Sequence, residues 1–98
     1  MKKLRVGIAG YGIVGKRRHA CIDLNPGFEM VGVCDRSFDG IGTLSCGVNY
    51  YSNYKDLLKQ DIDVILVCLT NDVAAQVTID ALDLGVHVFC EKPPGRNV

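Results

Sequence analysis

The sequence predicts an α/β fold built around a doubly wound parallel sheet. Apolar runs of strand length recur along the chain, segments with roughly helical spacing lie between them, and clusters of glycine, proline or asparagine end several of these segments. Strands that alternate with helices require right-handed crossovers, which place helices on both faces of the sheet. The 98 residues suffice for one domain.

The first third of the chain is predicted to be a strand, a helix and a second strand. Leu4–Ala9 is a short apolar run that ends in glycines, which indicates a strand buried on both faces. Residues 13–24 carry apolar residues at roughly helical spacing, and the Asn-Pro-Gly sequence at 25–27 ends that helix. Phe28–Cys34 is the next apolar run, so residues 6–35 form a βαβ unit.

The middle of the chain has weaker signals. Residues 36–47 contain three glycines and no clear period, so we expect a loop with room for a short helical turn. Residues 48–51 are rich in β-forming residues and predict a short strand. Ser52 or Asn53 is then expected to cap a brief helix that runs through residue 58.

The last third repeats the alternation of strand and helix. Residues 63–69 hold the strongest buried-strand signal in the chain. Asn71 or Asp72 is expected to cap the following helix, and Gly85 to end it before a last strand at residues 86–90. The apolar face of that helix is predicted to consist of Ala74, Val77, Ala81 and Leu82.

The turn between the first strand and the first helix matches Gly-x-Gly-x-x-Gly, a pattern that is informative only between a strand and a helix, as here. Gly10 permits the tight turn, Gly12 lets the backbone approach a phosphate, and Gly15 lets the helix pack on the strand. The helix N-terminus adds unpaired N–H groups and a positive dipole end for a pyrophosphate. The alternative is a glycine-rich turn without a ligand. The residues predicted to contact a dinucleotide here are Gly10, Tyr11, Gly12, Ile13, Val14 and Gly15.

An acidic residue closes the second predicted strand, as in Rossmann-type dinucleotide folds. Asp35 lies 20 positions after Gly15, where a carboxylate accepts hydrogen bonds from the adenosine ribose. A carboxylate repels a 2′-phosphate and so favours NAD, whereas the adjacent Arg36 would pair with that phosphate or stack on adenine. We expect NAD as the cofactor, with NADP as the alternative. An ordinary solvated strand end is the other interpretation of Asp35.

Composition excludes several classes of partner. Eleven basic residues balance eleven acidic ones, so the chain lacks the charge that nucleic acid or an anionic membrane would require. No apolar run approaches the ~18 residues of a membrane span. The five cysteines form no C-x-x-C pair, which argues against a disulfide framework or a metal site and for a reducing, cytoplasmic setting. Cys34, Cys68 and Cys90 lie near the ends of apolar runs and are expected to be small buried residues.

Residues 16–19, Lys-Arg-Arg-His, form a basic cluster in the first turns of the first predicted helix. We expect a solvated helix face there, with His19 on the surface, because no carboxylate or cysteine pattern beside it indicates a ligand or a base. The alternative is that the cluster attracts phosphates.

Glu91, Lys92 and Pro93 follow the last predicted strand, at the edge of the sheet where open α/β folds bind ligands. An ammonium group there would donate a hydrogen bond to a substrate hydroxyl and stabilise the charge that develops on oxygen during hydride transfer. The alternative is a surface lysine.

Four segments together resemble the Gfo/Idh/MocA family, named after glucose–fructose oxidoreductase, inositol dehydrogenase and MocA. They are the glycine motif, the Val-Cys-Asp-Arg sequence at 33–36, residues 63–69, and residues 85–93, which read Gly-Val-His-Val-Phe-Cys-Glu-Lys-Pro. The resemblance implies a two-domain, NAD(P)-dependent oxidoreductase acting on sugars, cyclitols or related polyols. It also implies that Lys92 lies beside nicotinamide and substrate as the candidate catalytic residue, with Glu91 at the cofactor.

Two features depart from the family pattern. Many members carry a Thr-Pro pair after the fourth strand and a histidine early in the next helix, where this sequence has Leu69, Thr70 and Ala74. The cofactor contacts of that loop are therefore assigned to Leu69, Thr70 and Asn71. The family's second α/β domain, which supplies most substrate contacts and a catalytic histidine, is absent from the 98 residues.

We therefore expect residues 1–98 to be a single NAD(P)-binding Rossmann domain, truncated at its C-terminal end. Such a domain would bind a dinucleotide without turning over a sugar-like substrate by itself, and it would be compatible with a homo-oligomer. Two alternatives stay open. One is a non-catalytic dinucleotide-sensing module, and the other is a subunit completed by another chain.

Overall fold

The computed structural model describes residues 3–69 and 71–90, and these residues form one mixed β-sheet with helices on both faces. The strands lie in the order β3-β4-β2-β1-β5-β6, and all neighbouring pairs are parallel except β3 with β4. The predicted α/β class with a doubly wound, Rossmann-type sheet is confirmed. The elements are β1 (Leu4–Ala9), α1 (Ile13–Asp23), β2 (Phe28–Cys34), β3 (Ile41–Thr43), β4 (Asn49–Tyr51), α2 (Tyr54–Leu58), β5 (Val64–Val67), α3 (Asn71–Asp83) and β6 (His87–Cys90).

Strand β1 is the centre of the sheet, with β2 on one side and β5 on the other. Its residues Ile8 and Ala9 are both fully buried and belong to different clusters, one on each face of the sheet. Ile8 packs in a cluster with Ile22 of α1, and Ala9 in a cluster with Leu57 of α2 and Val77 of α3. Burial on both faces explains why β1 is a continuous apolar run.

The segment predicted as a loop contains a strand. Ile41–Thr43 pairs with β4 in an antiparallel hairpin at the edge of the sheet. Gly40 and Gly47 take φ values of +73° and +94°, which turn the chain before and after this strand. These three residues are too few to show an alternation of apolar and polar residues. The strand forms because its backbone pairs with the edge of β4. The sequence prediction for 36–47 was therefore wrong at this point.

The helix ends are set by local hydrogen bonds. Asn53 rather than Ser52 caps α2, since its Oδ1 accepts a hydrogen bond from the Lys55 N–H at 2.9 Å. Helix α3 ends at Gly85 as predicted: with φ at +78°, its N–H donates to the Leu82 carbonyl, and the next N–H reaches back to Ala81. Helix α3 already includes Asn71, so the expected cap at Asn71 or Asp72 was wrong; residue 70 lies outside the described residues.

Three expectations about burial were also wrong. His19 is buried, with 6% of its surface exposed, because α1 turns Gly15, His19 and Ile22 toward the sheet. Leu82 of α3 is 60% exposed and lies outside the apolar face. Cys90 is exposed and Cys68 only partly buried, whereas Cys34 is buried as expected. Within residues 3–69 and 71–90, no helix is long and apolar enough to span a membrane.

Candidate dinucleotide-binding site

A cleft of about 350 Å³ opens at the carboxyl ends of the parallel strands. The chain leaves β1 toward β2 on one side and later returns to β5 on the other, so the cleft lies at the point where the strand order reverses. Open α/β sheets bind ligands at this position. The lining residues are Gly10, Gly12, Cys34, Asp35, Arg36, Ser52, Asn53, Tyr54, Cys68, Leu69 and Val73.

Two of the motif glycines are required by the packing of the protein itself. Gly10 has a φ of +97°, and a Cβ on it would overlap the Cys68 carbonyl of the neighbouring strand end. A Cβ on Gly15 would overlap the Gly10 carbonyl oxygen and touch Ile8. A side chain at Gly10 would therefore strain the tight turn and displace the end of β5, and one at Gly15 would push α1 away from β1.

Gly12 is different, because a Cβ on it would meet no protein atom within 4 Å. It is the N-cap of α1, no side chain caps the helix there, and the first turn contains no acidic residue. The positive end of the helix dipole therefore lies at Gly12, which lines the cleft. This space and this positive end of the dipole fit a pyrophosphate.

Asp35 joins the glycine loop to the end of β2. Its Oδ2 accepts a hydrogen bond from the Tyr11 N–H at 2.7 Å, and its Oδ1 accepts one from the Ser37 N–H at 2.9 Å. Partial burial works against ionisation, but the hydrogen bonds from Ser37 and Tyr11 and the charge of Arg36 outweigh it and lower the carboxyl pKa. Asp35 is thus held ionised at the cleft, and a carboxylate has about four acceptor positions, more than the backbone and side chain of Ser37 and the backbone of Tyr11 engage.

The Tyr11 backbone N–H binds Asp35 at the cleft, whereas the Tyr11 side chain contacts α1. The hydroxyl oxygen lies 2.6 Å from His19 Nδ1, and His19 Nε2 lies 3.4 Å from Asp23 Oδ2. The predicted absence of a carboxylate near His19 was therefore wrong; Asp23 is one helical turn away on α1. Burial, together with the Cys46 and Asp23 charges, raises the Tyr11 pKa, so the hydroxyl stays neutral. This contact anchors the residue whose N–H holds Asp35.

One wall of the cleft consists of residues that were not predicted from the sequence. Ser52, Asn53 and Tyr54 follow β4, and their proximity to Asp35 is secured by the Asp35 N–H, which donates to the Tyr51 carbonyl at 3.0 Å. The sequence could have indicated these residues. The strand predicted at 48–51 ends just before them, and the carboxyl ends of parallel strands lie at the ligand-binding edge of the sheet. Cys34 also lines the cleft, but burial raises its thiol pKa to about 12, so it is not a nucleophile at neutral pH.

The predicted site residues divide into three groups. The structure brings Gly10, Gly12, Asp35, Arg36 and Leu69 together around the cleft. A second group lies outside the cleft lining. It consists of Tyr11, of Ile13, which is 73% exposed at the start of α1, and of Val14 and Gly15 in the first turn of that helix. Thr70, Glu91, Lys92 and the side chain of Asn71 lie outside the described residues.

Known proteins match both the sequence and the fold. A family model described as an oxidoreductase family with an NAD-binding Rossmann fold matches residues 4–98. Inositol 2-dehydrogenase of Salmonella typhimurium is 34% identical over 98 residues, covering 92% of this chain and 29% of that protein. D-glucoside 3-dehydrogenase of Escherichia coli is 36% identical over 99 residues, covering 96% and 28%. The crystal structure of D-galactose-1-dehydrogenase from Rhizobium etli has a TM-score of 0.80 at 30% identity, covering 100% of this chain and 31% of that one.

The chain thus spans less than a third of the length of these relatives. The match nevertheless runs through almost all of its residues and includes the glycine loop, the strand end that carries Asp35 and the segment around Lys92. The cleft geometry agrees with it, because an open helix N-terminus and an ionised carboxylate lie side by side. The chain belongs to the Gfo/Idh/MocA oxidoreductase family, of which it forms the NAD-binding Rossmann domain.

Proposed function

We propose that the chain holds NAD with the pyrophosphate at the N-terminus of α1 and the adenosine ribose at Asp35. The parent protein would be a dehydrogenase that oxidises a hydroxyl group of a sugar, a cyclitol or a related polyol. The observation that carries the proposal is the open space at Gly12, which lines the cleft as the N-cap of α1 and has no side chain capping the helix. The names of the relatives, which act on inositol, a glucoside and galactose, support the substrate class.

The chain's own residues would bind and orient the cofactor. The N–H groups at the start of α1 would hold the pyrophosphate, and the lone pairs left on Asp35 would accept hydrogen bonds from ribose hydroxyls. When bound, nicotinamide supplies the hydride acceptor for oxidation of the substrate. Leu69, Thr70, Asn71 and Glu91 are proposed to contact the cofactor as well.

Lys92 is proposed as the catalytic residue of the complete protein. Its place in the chain directly after β6 and Glu91 supports this role, since ligands bind at the carboxyl edge of the sheet. Its ammonium group would donate a hydrogen bond to the substrate hydroxyl and stabilise the charge that develops on that oxygen. In the complete protein, Lys92→Met should lower kcat by about 100-fold or more.

NAD is proposed over NADP because the Asp35 carboxylate stays ionised beside the ribose position. A 2′-phosphate would bring a second negative charge against it. Arg36 also lines the cleft and would offset part of this repulsion. We therefore expect a preference for NAD rather than complete exclusion of NADP.

Titration of the 98-residue chain with NADH and NADPH tests the proposal, with nicotinamide fluorescence as the signal. We expect saturable binding of both, tighter for NADH. The Asp35→Asn variant should narrow the difference, because it removes the charge and keeps an oxygen acceptor. A fluorescence signal that does not saturate with either nucleotide would overturn the proposal.

The organisation of the whole protein is also proposed. Because the relatives are more than three times as long, residues 1–98 would be the cofactor domain of a two-domain enzyme, possessing cofactor binding but no turnover alone. A homo-oligomer in the reducing cytoplasm is proposed with it. All five cysteines lie in the described part of the chain and none forms a disulfide there, which supports that setting. Activity assays of the chain and of the complete protein, with inositol and free hexoses as substrates, would test whether turnover requires the complete protein.

A further inference from the structure

A polar bridge joins α2 to α3 beside the cleft. The Tyr54 hydroxyl, at the first residue of α2, donates a hydrogen bond to Asp80 Oδ2 on α3 at 2.5 Å. Gln76, one turn earlier on α3, donates from Nε2 to Asp80 Oδ1 at 3.0 Å. Both carboxylate oxygens are therefore engaged, and the bridge connects residues that are 26 positions apart in the sequence.

The bridge has one defined protonation state at neutral pH. The hydrogen bond to Asp80 raises the pKa of Tyr54 to about 12, so its hydroxyl keeps its proton. The hydrogen bonds from Tyr54 and Gln76 lower the pKa of Asp80, so it stays ionised. The contact is thus a hydrogen bond to a charged acceptor, which is stronger than one between neutral groups.

Both helices that the bridge joins contribute to the cleft. Tyr54 lines it together with Ser52 and Asn53, and Val73 lines it from α3, two helical turns before Asp80. The Tyr54 segment follows directly from Tyr51, which is hydrogen-bonded to Asp35. Tyr54 therefore stands on the side of the cleft where the adenosine ribose is proposed to bind.

Helix α2 needs outside support to keep Tyr54 in place. It has five residues, too few for a helix that is stable by itself. Leu57 and Leu58 at its end are buried, and the Tyr54 ring packs against the core cluster to which both leucines belong. Asn53 caps the start of the helix. These contacts hold the body of the ring but not its hydroxyl group. The hydrogen bond to Asp80 is the contact that fixes the end of the tyrosine ring.

We propose that Asp80 is a positioning residue for the dinucleotide: by holding the Tyr54 hydroxyl, it fixes the Tyr54 ring as a wall against the adenosine half. This inference rests on the proposed function. A tyrosine ring that is already fixed offers apolar surface to a purine or ribose. Binding then does not cost the entropy of ordering the tyrosine side chain. The nicotinamide half would not depend on this wall.

The test uses the 98-residue chain with two ligands, NADH and ADP-ribose, which carries the adenosine half without nicotinamide. Tyr54→Phe and Asp80→Ala are each expected to weaken both ligands by the same factor, about fivefold. Asp80→Asn keeps an oxygen that accepts from Tyr54 and should bind ADP-ribose within about twofold of wild type. Asp83→Ala removes the same charge from an exposed position on the same helix and should change neither affinity.

A spectroscopic readout separates positioning from a general loss of structure. In an alkaline absorbance titration, Asp80→Ala should move one tyrosine from a pKa of about 12 toward 10.0, and Tyr54→Phe should remove that transition. Circular dichroism checks folding; if Asp80→Ala does not fold, Tyr54→Phe, which removes one oxygen atom, decides.

The outcomes distinguish this inference from the proposed function. Equal weakening of NADH and ADP-ribose, with the Asp83→Ala control unchanged, supports the positioning role. Variants that bind like the control, or that weaken NADH alone, overturn it. If the wild-type chain binds neither ligand, the proposed function itself fails and the inference falls with it.

Discussion

At the scale of single residues, the three motif glycines are present for different physical reasons. Gly10 and Gly15 are imposed by the protein, since a side chain at either position would overlap backbone oxygen. Gly12 is not, because a Cβ there would contact no protein atom within 4 Å beyond its neighbours in the chain. A pattern that looks uniform in the sequence thus combines two packing constraints with one constraint that a ligand would impose.

Alanine substitutions separate these constraints. Gly12→Ala should lower the free energy of unfolding by at most about 1 kcal/mol, a helix-cap effect, yet weaken NADH by about tenfold. Gly15→Ala should cost about 3 kcal/mol or more, because backbone cannot move aside cheaply. Urea unfolding and NADH titration measure the two effects. Equal destabilisation by both variants would contradict this division.

Asp35 should make stability depend on pH at the acid end. Its pKa is lowered in the folded chain, so ionisation stabilises the fold above the ordinary carboxyl pKa of 3.8. This contribution is lost as the pH falls below that value and through the lowered pKa. Urea unfolding of wild type and Asp35→Asn from pH 7 to pH 2.5 should therefore show a stability difference that shrinks only in the acid range. A difference that stays constant would show that the Asp35 charge has no such role.

At the scale of elements, tertiary contacts decided which face of each helix is buried. Helix α1 has apolar residues at several positions, yet it buries Gly15, His19 and Ile22 and leaves Ile13 exposed. The close approach at Gly15 fixes the rotation of the helix, and His19 is then satisfied by Tyr11. A polar residue can lie on the buried side of a helix where it has a hydrogen-bond partner. The spacing of apolar residues in the sequence does not show whether such a partner exists.

The end of α3 offers a test at this scale. Gly85→Ala should lower the free energy of unfolding by about 1 kcal/mol, because alanine is strained at a φ of +78°. Leu82→Ala, three residues earlier, should change it by less than about 0.5 kcal/mol because the side chain is 60% exposed. Thermal and urea unfolding give both values. A large loss of unfolding free energy in Leu82→Ala would instead show that Leu82 belongs to the buried apolar face of α3, as its spacing in the sequence predicted.

At the scale of the whole molecule, the cleft depends on segments that are far apart in the chain. The loop after β1, the end of β2, the turn after β4 and the loop after β5 meet only because the sheet places their strands side by side. A ligand that contacts all four should link them and stabilise the entire domain.

Binding should therefore raise global stability. NADH at about 100 times its dissociation constant should add about 2.7 kcal/mol to the free energy of unfolding. A thermal shift assay with increasing NADH measures this gain, and Gly12→Ala at the same concentrations serves as the control with a smaller shift. An unchanged melting temperature of the wild type would mean that the folded chain does not bind the nucleotide in preference to the unfolded one.

The sequence by itself determined the alternation of strands and helices, the glycine motif, the acidic residue at the end of β2 and the stop at Gly85, because each depends on local periodicity or on one residue's backbone freedom. The tertiary structure decided the rest. The edge strand Ile41–Thr43, the buried His19 and the bridge from Tyr54 to Asp80 all require partners 6 or more positions away. Each of these features depends on a strand pairing or a hydrogen bond between separate segments of the chain, and a local sequence pattern does not specify such a contact.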